Sequence, residues 1–291
     1  MSPDLDAESL RIALPKGRMQ AEVFALLDAA GLSVRTGSRA YRPTIAAGRF
    51  NAKILKPQNI IEMLVAGSRD VGFAGADWVS ELGVDLVELL DTGLDPVRLV
   101  AAAPEDLLED GRLPARPLRV ATEYPRSAQR WIDAERLDAR IVRSYGATEV
   151  FPPDDADVIV DNTATGATLT ANGLAIVATL ATSSTRLYAN PAALEDPSRR
   201  AAIDGLVMLL ASVLDARQRV MFEVNVAADK LEAVCALLPC MREPTIATLH
   251  DAAGFAVKAA VRRDTLPTLV PRIKIAGGTD VVITPISQIV P

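Results

Sequence analysis

The sequence predicts an α/β protein with two lobes around a cleft and a smaller ferredoxin-like domain after them. Three observations carry that prediction. Short apolar runs suited to strands alternate with runs at helical spacing through most of the chain, as a mostly parallel sheet covered by helices requires. A connection rich in Pro, Gly and charge, EDLLEDGRLPARP (105–117), separates two such stretches. From about Arg217 the order becomes β-α-β-β-α-β, that of a small ferredoxin-like domain.

RIALP (11–15) is a short apolar strand, and KGR turns it into MQAEVFALLDAAG, which has helical spacing and a terminal glycine. NAKILK (51–56) reads as the next strand, and Pro57 behind it suits the first turn of a helix over PQNIIEMLVAGS. DVGFAG (70–75) is a third strand, followed by VDLVELL and VRLVAAA as two further apolar runs. A second unit begins near Pro117, with PLRVATEYP a strand, SAQRWIDAERL a helix, and ARIVRSY and DVIVD two strands. After LAIVATLATSSTRLYANP comes a helical run over roughly 196–217, which can return to the first unit and leave it discontinuous. The expected division is 1–104 with 180–216 as a first lobe, 105–179 as a second, and 217–291 as a third domain. There VMFEVNV, TIATLHD, FAVKAAV and DVVITPI are the strands and ADKLEAVCALLP and DTLPTLVPRIKIAG the helices, the last interrupted by Pro267 and Pro271.

Composition narrows the chemistry. A formal net charge of −6 over 291 residues gives no general attraction for nucleic acid or an anionic membrane, so any phosphate site has to be local. The first residues, MSPDLDAESL, carry acid where a signal peptide carries positive charge, and no apolar run is long enough to span a bilayer. A soluble, cytoplasmic protein is expected. Cys235 and Cys240 are too few for a disulfide framework and have no metal-ligand company, so they read as buried or partly buried thiols. His250 is the one histidine, so a Ser-His-Asp triad or a His-rich zinc site would rest on it alone. Positioning and charge are the expected catalytic means.

Four segments sit at strand ends, where α/β sheets bind ligands. In DVIVDNTATGATL (157–169) the β-branched run VIV brings Asp161 out at the carboxyl end of a buried strand. The residues after it, Thr163, Ala164, Thr165, Gly166, Ala167, Thr168 and Leu169, supply hydroxyls, backbone amides and the start of a helix. Two readings stay open for that loop. One is a capped helix start, with Thr165 or Thr168 as the cap; the other is a cradle for a phosphate, with Asp161 beside ribose hydroxyls or a bridging Mg2+. LPKGRM (14–19) places Gly17 between Lys16 and Arg18, an arrangement suited to a polyphosphate and equally to a solvated turn. Arg49 and Lys56 border the strand NAKILK and extend a positive rim. DVGFAGADW (70–78) ends in Asp77 and Trp78 after two glycines, and ATEYP (121–125) contains Tyr124; both aromatics suit either packing or a nucleobase.

Taken in order, RIALPKGRM, ILKPQNIIEMLVAGSRDVGFAGAD, LRVATEYP and ADVIVDNTATGATLTANGL resemble the ATP phosphoribosyltransferases, the last containing the family's D-x-x-x-T-G-x-T-L core. REPTIATLHDAAGFAVKAAV is similar to the third domain of the family's long form, so the resemblance covers essentially the whole chain. It implies two catalytic lobes like those of periplasmic solute-binding proteins and a regulatory, ACT-like third domain. The implied reaction is transfer of phosphoribosyl from phosphoribosyl pyrophosphate to N1 of the ATP adenine, with Mg2+ and release of pyrophosphate, as the first step of histidine biosynthesis. By motif, Asp161 and residues 163–169 would hold the phosphoribosyl group, and Lys16, Arg18 and Arg49 the pyrophosphate and nucleotide phosphates. Gly17, Asp77 and Tyr124 would line the ATP site, and no protein ligand is assigned to Mg2+. Thr245 would contact histidine as a feedback effector, while His250, in a family-like LHD, reads as a turn or core histidine. The implied assembly is a dimer that associates to a hexamer without a separate regulatory subunit. Two departures stand out: Lys56-Pro57-Gln58-Asn59 where the family often has Arg-Pro-x-Asp, and Thr284-Pro285-Ile286 where Ser-Asp-Ile-like sequence is common. A two-lobed solute-binding protein and a phosphoribosyltransferase acting on another base are the alternatives.

Overall fold

The computed structural model describes residues 9–37, 41–47, 49–239 and 243–290, so Cys240 lies outside the described residues. Two compact units form: one contains most residues up to Asp204, the other Leu26–Gly31 and the chain from Gly205 onward. In chain order the structure begins with β1 (Leu10–Pro15), α1 (Gln20–Ala29), the two-residue strands β2 (Val34–Arg35) and β3 (Thr44–Ile45), β4 (Phe50–Leu55), α2 (Pro57–Val65), β5 (Val71–Gly75) and α3 (Ala76–Leu82). It continues through β6 (Val87–Pro104), β7 (Leu118–Thr122), α4 (Pro125–Glu135), β8 (Ala139–Arg143), β9 (Val158–Thr163), α5 (Ala167–Ala171), β10 (Leu174–Ala189), α6 (Pro191–Glu195) and α7 (Pro197–Arg217).

The first unit is organised by an eight-stranded sheet in the order β4-β1-β5-β10-β6-β9-β7-β8. β1 pairs in parallel with β4 and β5, and β7 in parallel with β8 and β9, giving two parallel halves. β5 is buried at every position and β1 at all but one, the continuous apolar pattern of strands covered on both faces. Gly72 in β5 lets α2 approach closely, because a Cβ there would stand 2.6 Å from Cγ2 of Ile60. Pro57 opens α2, where its missing N–H removes no helical hydrogen bond.

Between the halves lies a long antiparallel ribbon of β6 and β10, paired from Val87 opposite Ala189 to Pro104 opposite Leu174. VDLVELL and VRLVAAA therefore contribute to one strand rather than two. Gly93 (φ 64°) and Asp95 (φ 47°) adopt left-handed backbone, so DTGLDP is an irregularity inside a continuing ladder and not a chain reversal. β5 runs along one end of the ribbon and β9 along the other: Gly75 ends opposite Thr185, and Thr163 ends opposite Arg98. Both carboxyl ends thus face the ribbon's middle, where Leu94 pairs with Thr185 and Arg98 with Thr182.

The opposite, amino edge of the first half is tied by Asp70, whose side chain is fully buried. Its carboxylate accepts from the Arg11 backbone amide at 2.8 Å and ion-pairs with Arg11 at 2.5 Å and with Arg199 of α7 at 3.4 Å. Its carbonyl accepts from the Asn190 amide at 3.0 Å, joining the ends of β5 and β10.

The second unit adds β11 (Arg219–Val226), α8 (Leu231–Cys235), β12 (Thr245–Thr248), β13 (Phe255–Arg262), α9 (Leu266–Ile275) and β14 (Thr279–Pro285). Its antiparallel sheet has the order β12-β13-β11-β14, which with the chain order β-α-β-β-α-β is the ferredoxin-like topology. β11 alternates buried and half-buried residues, so Val220, Phe222, Val224 and Val226 face a core closed by Val234, Leu269 and Ile273. α9 accommodates both prolines: Pro267 lies in the first turn, and Pro271 forgoes only the bond to the carbonyl of Pro267. Cys235 is partly buried. No helix among the described residues is long and apolar enough to cross a membrane.

Removing the Asp70 carboxylate strands two guanidinium groups around a buried position. Asp70→Ala is expected to lower unfolding free energy by about 3 kcal/mol, measured by urea denaturation. A loss below about 1 kcal/mol, the range of exposed pairs, would show that the edge is held by packing alone.

Candidate active site

The carboxyl ends of β1, β5 and β9 open onto one cleft backed by the middle of the ribbon. One part is lined by Lys16, Arg18, Asp77, Trp78, Asn162 and Ser183 among others. A second part is lined by Glu149, Asp161 and residues 163–165 and 167–169. Arg18, Val97 and Asn162 line both parts, which makes the cleft continuous.

The cationic side comes from the turn after β1. Gly17 sits at φ 87°, a conformation that L side chains rarely adopt, and so sets Lys16 and Arg18 on a sharp corner. Lys16 donates from Nζ to the Tyr41 hydroxyl at 2.9 Å and lies over that ring, 4.9 Å from its centroid. The ammonium also draws the Tyr41 hydroxyl below its ordinary pKa. Arg18 donates from Nη1 to the carbonyl of Asp95 at 3.4 Å and stands 3.6 Å from its carboxylate. Burial pushes the Asp95 carboxyl up against the pull of Arg18.

The loop after β9 is built on two buried anchors. Thr163 accepts from the Gly166 amide at 3.0 Å, and Leu169 packs into a core with Val100, Ala121 and Ile159. Gly166, at φ 84°, turns the chain into α5, whose first internal bond runs from the Thr170 amide to the Gly166 carbonyl. Ala164, Thr165, Ala167 and Thr168 are left exposed along the cleft. Thr165 also accepts from the Ala167 amide at 3.3 Å, so the loop caps itself and still presents hydroxyls and amides outward.

Asp161 begins this loop with an unfavourable charge. Burial pushes its carboxyl up to about 6, and Glu123 and Glu149 add to the shift. Hydrogen bonds from the Asn162 amide and the Thr148 hydroxyl oppose it.

On the β5 side Asp77 is held rigidly. Its Oδ1 accepts from Ser183 Oγ at 2.7 Å, its Oδ2 from the Tyr124 hydroxyl at 2.8 Å, and its amide donates back to Ser183 at 3.0 Å. Gly75 is required beside it, since a Cβ there would collide with Oδ1 of Asp77. Glu81 of α3 accepts from the Arg126 and Ser127 amides at 2.8 and 2.9 Å, capping the start of α4 from the other half of the sheet.

Two sequence-based assignments need correction. Arg49 precedes β4, which runs parallel to β1 in register from Leu10 opposite Phe50. It therefore stands at the amino edge of the sheet, about 20 Å of strand away from the Lys16 corner, and is not brought to this cleft. Tyr124 follows β7 at the correct end, but its side chain is fully buried and lies behind the cleft wall instead of lining it. Thr245 is exposed at the start of β12, opposite Lys258 of β13, in the second unit. His250 is exposed and 3.2 Å from Asp251, in a turn.

Asn162, Asp95 and the hydroxyls of Ser183, Ser184 and Thr185 line the cleft and were not singled out from sequence. The only signal for the last three was a run of hydroxyls, ATSSTR, within a strand.

Fold and cleft together define an α/β protein with a cleft at strand carboxyl ends, lined by Lys16 and Arg18 on one side and a hydroxyl-rich loop on the other. A family model described as ATP phosphoribosyltransferase matches residues 56–212, and one described as the HisG C-terminal domain matches 216–288. The chain is 34% identical over 287 residues to the ATP phosphoribosyltransferase of Pelotomaculum thermopropionicum, covering 97% of this chain and 99% of that protein. It is 35% identical over 289 residues to the ATP phosphoribosyltransferase of Desulforudis audaxviator, with the same coverage, 97% and 99%. Among solved structures, the ATP phosphoribosyl transferase (HisG:HisZ) complex from Thermotoga maritima aligns at a TM-score of 0.61 and 27% identity, covering 69% of this chain and 96% of that one. The chain belongs to the ATP phosphoribosyltransferase family, enzymes that transfer a pentosyl group at the first step of histidine biosynthesis.

The raised pKa of Asp161 has a measurable consequence for the free protein. A carboxyl raised from 3.8 to about 6 favours folding fully below the lower value, and that contribution is lost as pH rises through about 6. Asp161→Asn is therefore expected to be more stable than wild type at pH 8, by on the order of 2 kcal/mol, with the gap closing towards pH 4. Denaturation at both pH values checks this; a gap independent of pH would refute it.

Proposed function

We propose that this chain transfers the 5-phosphoribosyl group of phosphoribosyl pyrophosphate to N1 of the ATP adenine, acting in the cytoplasm. The observation that carries the reading is the continuity of the cleft: Arg18 and Asn162 border both the cationic corner and the 161–169 loop. Two anionic substrates placed in these parts meet at the ribbon's middle.

In this reading the amides and hydroxyls of residues 163–169 take the 5′-phosphate, and Asp161 lies by the ribose. Lys16 and Arg18 take the pyrophosphate and nucleotide phosphates, with Gly17 shaping their corner and Asp77 on the adenine side. The bond from the anomeric carbon to the pyrophosphate oxygen breaks while a bond from that carbon to adenine N1 forms. The ribose becomes positively charged as pyrophosphate leaves with negative charge, so fixed charge and alignment do the chemistry. Adenine N1 brings its own lone pair and needs no base to uncover it.

Among the described residues no group of three or more His, Cys, Asp or Glu is placed to hold a metal. When bound, Mg2+ would supply charge neutralisation at the leaving pyrophosphate; it is assigned no protein ligand, and phosphate oxygens are common company for this ion. The division into lobes 1–104 with 180–216 and 105–179, and a regulatory domain 217–291, belongs to the same reading. So do inhibition by histidine with Thr245 among its contacts, and assembly into dimers and hexamers.

Ultraviolet detection of phosphoribosyl-ATP from purified protein, ATP, phosphoribosyl pyrophosphate and Mg2+ tests the reaction. Turnover with another base only, or binding without turnover, would overturn it. Thr165→Ala with Thr168→Ala is expected to raise KM for phosphoribosyl pyrophosphate roughly 30-fold, as lost bonds to a charged group imply, and KM for ATP far less. Equal effects on both substrates would return the loop to a structural role. Thr245→Ala is expected to raise the histidine concentration for half-inhibition at least about tenfold, the loss of one hydrogen bond to a charged ligand. Unchanged sensitivity would place the effector elsewhere.

A further inference from the structure

One partly buried hydrogen-bond chain crosses from the phosphate loop to the adenine side. Asn162, between Asp161 and Thr163 on β9, donates from Nδ2 to the Tyr124 hydroxyl at 2.7 Å. Tyr124 donates in turn to Asp77 Oδ2 at 2.8 Å, and Ser183 secures Oδ1 at 2.7 Å. The direction is fixed by valence. A carboxylate only accepts, so the single phenolic proton goes to Asp77, and the phenolic oxygen must receive the amide of Asn162. Burial, with Asp77 and Asp161 nearby, drives the Tyr124 hydroxyl well above its ordinary pKa, which keeps that proton in place. The Tyr124 ring packs on Trp78 at a centroid distance of 4.5 Å, and Trp78 lines the part of the cleft beside Asp77.

Tyr124 thus has no surface in the cleft, yet it touches a residue from each side of it. A hydroxyl that accepts one hydrogen bond donates a stronger one, so engagement of Asn162 alters the grip on Asp77. We propose that Tyr124 is a positioning residue whose hydroxyl carries the state of the phosphoribosyl loop, through Asn162, to Asp77 and Trp78, so that one bound substrate organises the half-site of the other. The proposal rests on the assignment of substrates to the two parts of the cleft made above.

Trp78 is a built-in reporter. The only other tryptophan is Trp131, whose Nε1 is buried without a hydrogen-bond partner, so Trp131→Phe removes no hydrogen bond and leaves a single emitter. Phosphoribosyl pyrophosphate does not absorb where tryptophan is excited, so any change in emission comes from the protein. With Mg2+ present, saturation of Trp131→Phe by this substrate is expected to shift Trp78 emission. The shift is expected to vanish when Tyr124→Phe is added, although calorimetry still shows the substrate bound. In initial-rate matrices, Tyr124→Phe is expected to bring the factor by which phosphoribosyl pyrophosphate tightens ATP binding down to about one, from a coupling of about fivefold or more.

Equal emission shifts with and without the Tyr124 hydroxyl would overturn the proposal, as would substrate binding to Trp131→Phe with no shift at all. Absence of calorimetric binding to the wild type would instead sink the substrate assignment, and this proposal with it. Should Tyr124→Phe unfold, Asn162→Ala cuts the chain at its other end and leaves Tyr124 bonded to Asp77. The same loss of the Trp78 signal, with substrate still bound, is then expected, and its retention would refute the coupling.

Discussion

Because β10 pairs with β5 on one side and β6 on the other, the two parallel halves of the first unit share a single sheet. Their carboxyl ends also meet head-on across the ribbon. Parallel sheets place ligand-binding loops at those ends, but one parallel half offers only one such edge. Running β5 and β9 in opposite senses along a common ribbon sets two edges against each other, with Leu94 to Arg98 and Thr182 to Thr185 between them. A cleft bordered by two opposed strand-end edges follows from that constraint. The left-handed residues Gly93 and Asp95 fall at the same place, where Asp95 also meets Arg18.

Charge in the cleft is local and mostly answered. The protein is acidic overall, with a net charge of −6, so its cations cannot act as a broad attractive field. Arg18, half exposed, rests on the largely buried Asp95, and Lys16 rests on Tyr41. Asp77 is different: Ser183 and Tyr124 occupy its oxygens and fix its orientation. The cations lie at the more exposed side of the cleft and the acid is held fast, an asymmetry that in the proposed reaction gives phosphates the open side and the base the fixed one.

Much of this was legible in the sequence, and the losses have physical causes. Strands such as β1 and β5 are covered on both faces and read as unbroken apolar runs, and Pro57 marks the start of α2. The β6–β10 ribbon was not legible as one ladder, because a bulge with Gly93, Asp95 and Pro96 has the composition of a turn. Arg49 and Tyr124 fail for separate reasons. Nearness to a strand does not say which end faces the ligand, and being at the correct end does not say which way a side chain points. Asn162 adjoins a clear motif, but its partner Tyr124 is 38 residues away in the chain, and only folding brings them together.

Asp161 shows how such a cleft stores electrostatic work. With burial and the neighbouring Glu123 and Glu149 all opposing its ionisation, the carboxyl is poised near 6 and its charged form is unfavourable in the empty protein. A ribose losing pyrophosphate develops positive charge, so in the proposed reaction that carboxylate is least favourable before the transition state and most favourable in it. The surroundings that make Asp161 costly in the free protein also screen it from water, and there a fixed negative charge acts more strongly than in solution. Differential stabilisation of this kind needs no histidine and no strong base. A chain with a single, exposed histidine far along in its second unit is suited to chemistry of that type.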